Sequence, residues 1–409
     1  MVTVNRSIGM IVMSAVLLYV GLALAEDWPQ WRGANRDGKV KAFETPKAWP
    51  AALTQKWKAN VGLGDATPAL VGQQVYVFTR QGDDEVTLCL NAVDGNEVWK
   101  DKYAAQAVGG PAGRHPGPRS SPAVADGKVV TLGVGGVVSC LDAAKGTVLW
   151  RKDPFPKVVP QFFTSMSPMI VNSMAIAHVG GAGNGAMIAF DLTSGEEKWR
   201  WAGEGPAYAS PALLTVAETK QVVTLAEKNI VGVNVADGKL LWQVPFAPAG
   251  RAYNAATPIV DGQTVIITGA GRGTKALKVE KTNDGFAASE IWSNPNTATQ
   301  FNTPVLVEGL LFGFSDRGNL FCIDAKDGKT AWTDATKRGQ GFASVVAAGS
   351  VMLALPDNST LFVFKPVAEA YAEVAQVKIA ESPTYAHPVV AGNTVFVKDQ
   401  DSLAMLTIE

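Results

Sequence analysis

Cysteine and histidine are scarce in this chain, three of each among 409 residues. His115, His178 and His387 stand far apart and form no Cys-x-x-Cys or His-Glu-x-x-His spacing, so no ligand set for zinc is visible and no metal is expected. The cysteines occur as Cys89-Leu90-Asn91, Cys140-Leu141-Asp142 and Cys322-Ile323-Asp324. Each holds the same place in a repeated pattern, which keeps them in separate units and argues for small buried strand residues over a disulfide framework. A Gly-x-Ser-x-Gly elbow is also missing, so no serine is marked as a nucleophile. Charge of one sign is lacking too: 36 basic residues meet 37 acidic ones, which gives no reason to expect a nucleic-acid partner. Helical periodicity is nearly absent after residue 25, with only a faint 3.6-residue apolar spacing over Val367–Val377.

The first 25 residues differ from all that follows. Arg6 precedes an apolar stretch from Ile8 to Ala25, and Ala23-Leu24-Ala25 is a small-x-small cleavage site. This is the anatomy of a secretory signal peptide cut after Ala25, and it predicts a periplasmic or secreted protein with no transmembrane segment after cleavage. The competing reading is an uncleaved anchor, since roughly 18 apolar residues nearly span a bilayer. No cysteine follows the stretch to carry a bacterial lipid anchor at that point.

What is abundant is turn chemistry: 41 glycines and 23 prolines, spread along the whole chain. They punctuate a repeat. Its first marker is Ser/Thr-Pro before an apolar run, at Thr67-Pro68, Ser121-Pro122, Ser167-Pro168, Ser210-Pro211, Thr257-Pro258 and Thr303-Pro304. Degenerate copies follow at Ser344-Val345 and His387-Pro388. The second marker is a Gly-containing turn followed by Trp99, Trp150, Trp199, Trp242, Trp292 or Trp332. Between the markers lie four short β-runs. In the sixth copy these are Thr303–Val307, Leu310–Ser315, Leu320–Asp324 and Thr330–Thr333. Four antiparallel strands every ~40–45 residues predict an all-β, eight-bladed propeller. The eighth copy stops before any Trp strand, so the segment around Trp57 is expected to supply it and close the ring. The seventh copy lacks its Trp, and Ala368–Ile379 fills the place. The predicted organisation is a signal peptide over 1–25, an N-terminal extension over 26–54 and the propeller over 55–409. The tryptophans, Trp57 included, are read as structural rings covering the interface to the next blade.

The Gly-x-x-x-Trp unit resembles the tryptophan-docking motif of pyrroloquinoline-quinone (PQQ)-type propellers. These include the quinoprotein alcohol dehydrogenases and the propeller lipoprotein of the outer-membrane β-barrel assembly machinery. The segment Asp27-Trp28-Pro29-Gln30-Trp31-Arg32-Gly33-Ala34-Asn35-Arg36-Asp37-Gly38 looks like the opening of exported PQQ-like propellers of planctomycete-type bacteria. The resemblance covers residues 27–409. It implies PQQ over the axis and Ca²⁺ beneath it only if the dehydrogenase features are present, and those enzymes carry a disulfide between adjacent cysteines that this chain lacks. No cofactor is therefore expected, PQQ with Ca²⁺ being the alternative.

Two Gly-rich stretches, Gly180–Gly185 and Gly269–Lys275, occupy the same phase of their repeats and read as hairpin turns, not phosphate loops. A binding face is expected where loops enter the innermost strands. Those loops carry Arg114, His115 and Arg119; Phe163; Tyr208; Arg251, Tyr253 and Asn254; Gln300 and Phe301; Arg338 and Phe342; and Tyr385 with His387. Aromatic and Arg side chains around one mouth suit a binding surface. No catalytic residue is nominated. The functions left open are a non-catalytic envelope scaffold holding a protein partner, a PQQ- and calcium-dependent dehydrogenase, and a propeller binding a saccharide or other small ligand.

Overall fold

The computed structural model describes residues 26–248 and 253–409; the apolar opening stretch with its cleavage site, and Arg251, lie outside them. The described strands form eight antiparallel sheets, numbered here as blades 1–8 in chain order, and no described helix is long and apolar enough to cross a membrane. Blade 6 is representative, with strands Val305–Val307, Leu310–Phe314, Asn319–Asp324 and Thr330–Lys337. Its two middle strands are almost wholly buried and its outer strand mostly exposed, as expected when sheets pack face to face around a ring. The stretch over Val367–Val377 contributes strand Ala372–Lys378 to the rim of blade 7, so its faint helical spacing produces no helix.

Thr54–Asn60 pairs antiparallel with Ser402–Thr407 and completes blade 8, with Trp57 opposite Met405. The ring is thus closed by the two ends of the propeller sequence. Each Trp in turn reaches the next blade. The indole N–H of Trp57, Trp99, Trp150 and Trp199 donates to the carbonyls of Ala92, Ala143, Leu192 and Val235, at 2.9, 2.9, 3.2 and 2.9 Å. Trp292 does the same to Ala325 and Trp332 to Val367. The glycine of the turn is a steric requirement: a Cβ on Gly146, at φ +71°, would lie 2.5 Å from the Trp99 ring. The exception is Trp242, which bonds Gln221 of its own blade because blade 5 offers a long hairpin, Gly273–Thr282 with Gly285–Asn294, in place of the usual turn. Cys89, Cys140 and Cys322 are buried free thiols, each paired in register with its blade's Trp; burial pushes each thiol up to about 12.

The Ser/Thr of the Pro marker has its own structural role. Backbone N–H groups of Thr67, Ser121 and Ser167 donate to the hydroxyls of Ser121, Ser167 and Ser210 on the following blades, at 3.1, 2.9 and 2.9 Å. Thr257 donates likewise to Thr303, and His387 to Thr67. These bonds tie neighbouring blades together around the axis.

The N-terminal extension is not a separate appendage. Its Asp27–Gly38 portion fills the axial channel. Trp28 makes a two-bond bridge to Leu70 of blade 1, and Val124 of blade 2 donates to the Pro29 carbonyl. Ala347 of blade 7 donates to Gly38, and Lys39–Val40 then runs parallel to Ala343–Ala348 as a fifth strand of that blade.

Candidate functional site

Directly above this plug the loops between blades enclose a cavity of about 290 Å³ on one face of the ring. Its floor is Trp31, whose indole N–H donates to Thr257 Oγ1 at 2.9 Å, together with His387, Ser167, Ser210 and Thr303. Trp31 meets His387 edge-on, with ring centroids 4.5 Å apart. One wall is Phe162, Tyr208 and Tyr253: Tyr253 stacks on Tyr208 at 5.7 Å and meets Phe162 edge-on at 4.8 Å. The opposite wall is Phe301 stacked on Phe342 at 4.5 Å, with Tyr385 edge-on to Phe342 at 5.4 Å and to His115 at 4.7 Å. Such edge-to-face and offset pairs hold rings rigidly, at low cost in side-chain entropy on binding.

Arg119 ties the walls together by donating to the carbonyls of Phe162 at 2.6 Å and His115 at 3.0 Å. The Tyr208 hydroxyl donates to the same Phe162 carbonyl, and burial pushes its phenol pKa up. His115 Nδ1 lies 2.7 Å from Asp65 Oδ2, within hydrogen-bond distance. Beneath the floor sit two guanidinium groups without a carboxylate bonded to either. Arg32, 1% exposed, donates to the carbonyls of Thr303 and Pro304, both at 2.8 Å. Arg36, 5% exposed, donates to Ser167 and Pro168, at 3.0 and 2.9 Å. Burial lowers their pKa values to about 10 and about 9, which leaves both charged at neutral pH. Burial and the nearby charge of Arg32 hold His387 well below the usual histidine range, so its ring is neutral there.

Eight of the sequence-nominated residues line this cavity: His115, Arg119, Tyr208, Tyr253, Phe301, Phe342, Tyr385 and His387. The others stand elsewhere. Phe162, not Phe163, faces the cavity; Phe163 takes the left-handed backbone of a tight turn at φ +66°. Arg114 ends a short 3₁₀ turn, Gly110–Arg114, and is exposed. Asn254 is buried and structural: its amide donates to Ala226 and Phe246, and its oxygen accepts from Arg272. Arg338 lies on the rings of Phe362 and Tyr371 and pairs with Asp334, within the seam between blades 6 and 7. Gln300 is half-buried and does not line the cavity. The sequence reading passed over Trp31 and Asp65. The signal for Trp31 was the pair of arginines beside it, since cations flanked by indoles in a short Gly-bearing segment are well suited to burial against free carbonyls.

The residues present do not fit a PQQ–Ca²⁺ site. The axial position is filled by Trp31, and the charges below it are guanidinium groups, which repel a divalent cation. No group of three His, Cys, Asp or Glu side chains with metal-binding geometry occurs among the described residues.

Comparison with known proteins places this chain among propellers. The family profile described as outer membrane protein assembly factor BamB matches residues 84–334, more than half of the chain. The BamB of Burkholderia pseudomallei is 24% identical over 369 residues, covering 85% of this chain and 86% of its own. The crystal structure of Moraxella catarrhalis BamB superposes with a TM-score of 0.65 at 14% identity, over 88% of this chain and 98% of that one. The quinohemoprotein alcohol dehydrogenase of Comamonas testosteroni superposes with a TM-score of 0.69 at 15% identity, over 94% and 81%. At these identities the two superpositions speak for the fold alone.

Proposed function

This chain belongs to the PQQ-like propeller family described as outer membrane protein assembly factor BamB, and on that premise we propose that it is a non-catalytic scaffold of the cell envelope that holds a protein partner at its axial mouth. The observation that carries this reading is the aromatic cup itself. Loops from many blades converge there, fixed to one another by Arg119 and Tyr208, over a channel already filled by residues of the chain. A preorganised aromatic pocket ringed by polar groups is how a protein interface anchors one or two partner side chains. The cup's volume accommodates a partner side chain or a compact ligand. The poor fit of PQQ and Ca²⁺ supports the non-catalytic reading. Envelope location is supported by the signal-like opening sequence and by the relatives named above.

Site-specific photocrosslinking tests this. A photoreactive side chain at Tyr385, on the cup, is compared with one at Val98, an exposed residue beside the rim tryptophan of blade 1. The proposal expects a discrete crosslinked protein from the cup position in intact cells and none, or a different one, from the rim. Crosslinks confined to the rim position would overturn the placement of the site. Reduction of an acceptor dye by the purified protein with PQQ and Ca²⁺ would overturn the non-catalytic reading.

A further inference from the structure

We infer that the axial channel is itself a peptide-binding site, a receptor for a turn-forming Trp- and Arg-bearing segment, and that residues 27–38 are its resident ligand held in cis.

The argument begins with the innermost strand of each blade. Apart from the N-terminal extension, it has a neighbour on one side only, so its other edge turns backbone groups toward the axis. Eight such edges converge on one channel. The segment answers them chemically. Its backbone pairs with Leu70, Val124 and Ala347 on blades 1, 2 and 7. Its two guanidinium groups each chelate the two carbonyls of a Ser/Thr-Pro marker: Ser167 and Pro168 for Arg36, Thr303 and Pro304 for Arg32. A guanidinium fork spans two neighbouring acceptors, which a lysine ammonium does not do with fixed geometry. The Trp31 N–H bonds Thr257, at the place where the inter-blade hydroxyl bonds skip from Ser210 to Thr257. Trp28, only 2% exposed, packs over Gly33, whose φ of +83° lets the segment fold back beneath the ring.

This is recognition of the kind found when a peptide adds to a sheet edge: backbone bonds give affinity and side-chain seats give specificity. In the joint between Lys39–Val40 and Thr54–Asn60 the chain forms no strand; Phe43 packs into the core and stacks on Trp49, but Lys47 and Ala48 between them are exposed. The site differs from the cup in ligand and in location, yet the two share Trp31, so occupancy of the channel sets the floor of the cup.

The test cuts the joint in the folded full-length chain. A recognition sequence for a specific protease is inserted between Lys47 and Ala48, the folded protein is nicked, and retention of the 26–47 fragment is followed by size exclusion. A fluorescent peptide of residues 27–38 is then added in excess. The inference expects the nicked protein to hold the fragment, to exchange it for the labelled peptide, and to bind a peptide carrying both Arg32→Lys and Arg36→Lys about tenfold more weakly or worse. It is overturned if the fragment is lost on nicking with no change in the thermal midpoint, or if the double-lysine peptide binds as well as the original. Neither outcome bears on crosslinking at Tyr385, so this inference and the scaffold proposal fail separately.

Discussion

The rim and the axis of this ring are closed by opposite means. At the rim, a large apolar ring lies on a glycine and spends its single N–H on one carbonyl of the next blade, and the device recurs seam after seam. At the axis, closure is polar and irregular: hydroxyls accept backbone N–H groups across some seams, and one segment with two buried arginines serves the rest. Blade interfaces widen toward the rim, where bulk is needed, and converge at the axis, where backbone groups need partners more than volume. Repetition suits the first task. The second meets eight edges at one point, where a single chain segment addresses several of them, each differently.

The sharpest way to break the rim is Trp99→Ala, which removes a buried ring and its bond to Ala143 and should cost about 3–5 kcal/mol, read from the urea midpoint. Trp242→Ala, in a seam where no glycine of the next blade underlies the ring and the indole bonds within its own blade, should cost less and leave the coupling between its two blades less altered, as hydrogen exchange would show.

Acid probes both regions through histidine. His178, within blade 3, donates its Nε2–H to the Glu204 carbonyl, and burial lowers its pKa to about 4; His387 at the axis is lowered in the same direction. Below about pH 6.5 the unfolded chain binds protons that the folded chain refuses, so the His178 contribution lowers stability as pH drops from about 6.5 toward 4 and is constant below that. The loss from His178 is on the order of 3 kcal/mol. His178→Gln should flatten the fall between pH 7.5 and 4.5, and His387→Gln should remove a separate share. A pH profile unchanged in both variants would assign the acid lability to other groups.

The smallest effect is expected from the plug. Arg36→Met leaves the carbonyls of Ser167 and Pro168 without their donor and should cost about 2 kcal/mol. The loss of protection should centre on the inner strand of blade 3 and leave the rim tryptophans in place, a pattern hydrogen exchange separates from global loosening.

The same contrast explains what the sequence disclosed. Blade number, strand order and closure by Trp57 were legible because each rests on a device repeated in phase, and a Gly before a Trp has one physical use wherever it recurs. The loops that build the cup were legible as a group, since an aromatic residue precedes several Pro markers. Which neighbour faces the cavity was not: Phe162 and Phe163 differ only by a turn with positive φ, and Asn254 resembles a ligand residue until its amide is found on two carbonyls. The plug has no second copy in the chain to be compared with, so its seat could be found only in three dimensions.

Closure by the two ends of the propeller also bears on how the molecule forms. Thr54 and Thr407, neighbours in blade 8, are 353 residues apart in sequence. Seven blades can form from local hairpins as synthesis proceeds, but the seam that Trp57 covers has no sheet to belong to until the final strand emerges. Until then blade 1 keeps an open flank, with Gly95 bare and the Ala92 carbonyl unclaimed. Ring closure therefore waits for strand Ser402–Thr407, and the unclosed arc is the species most exposed to wrong partners.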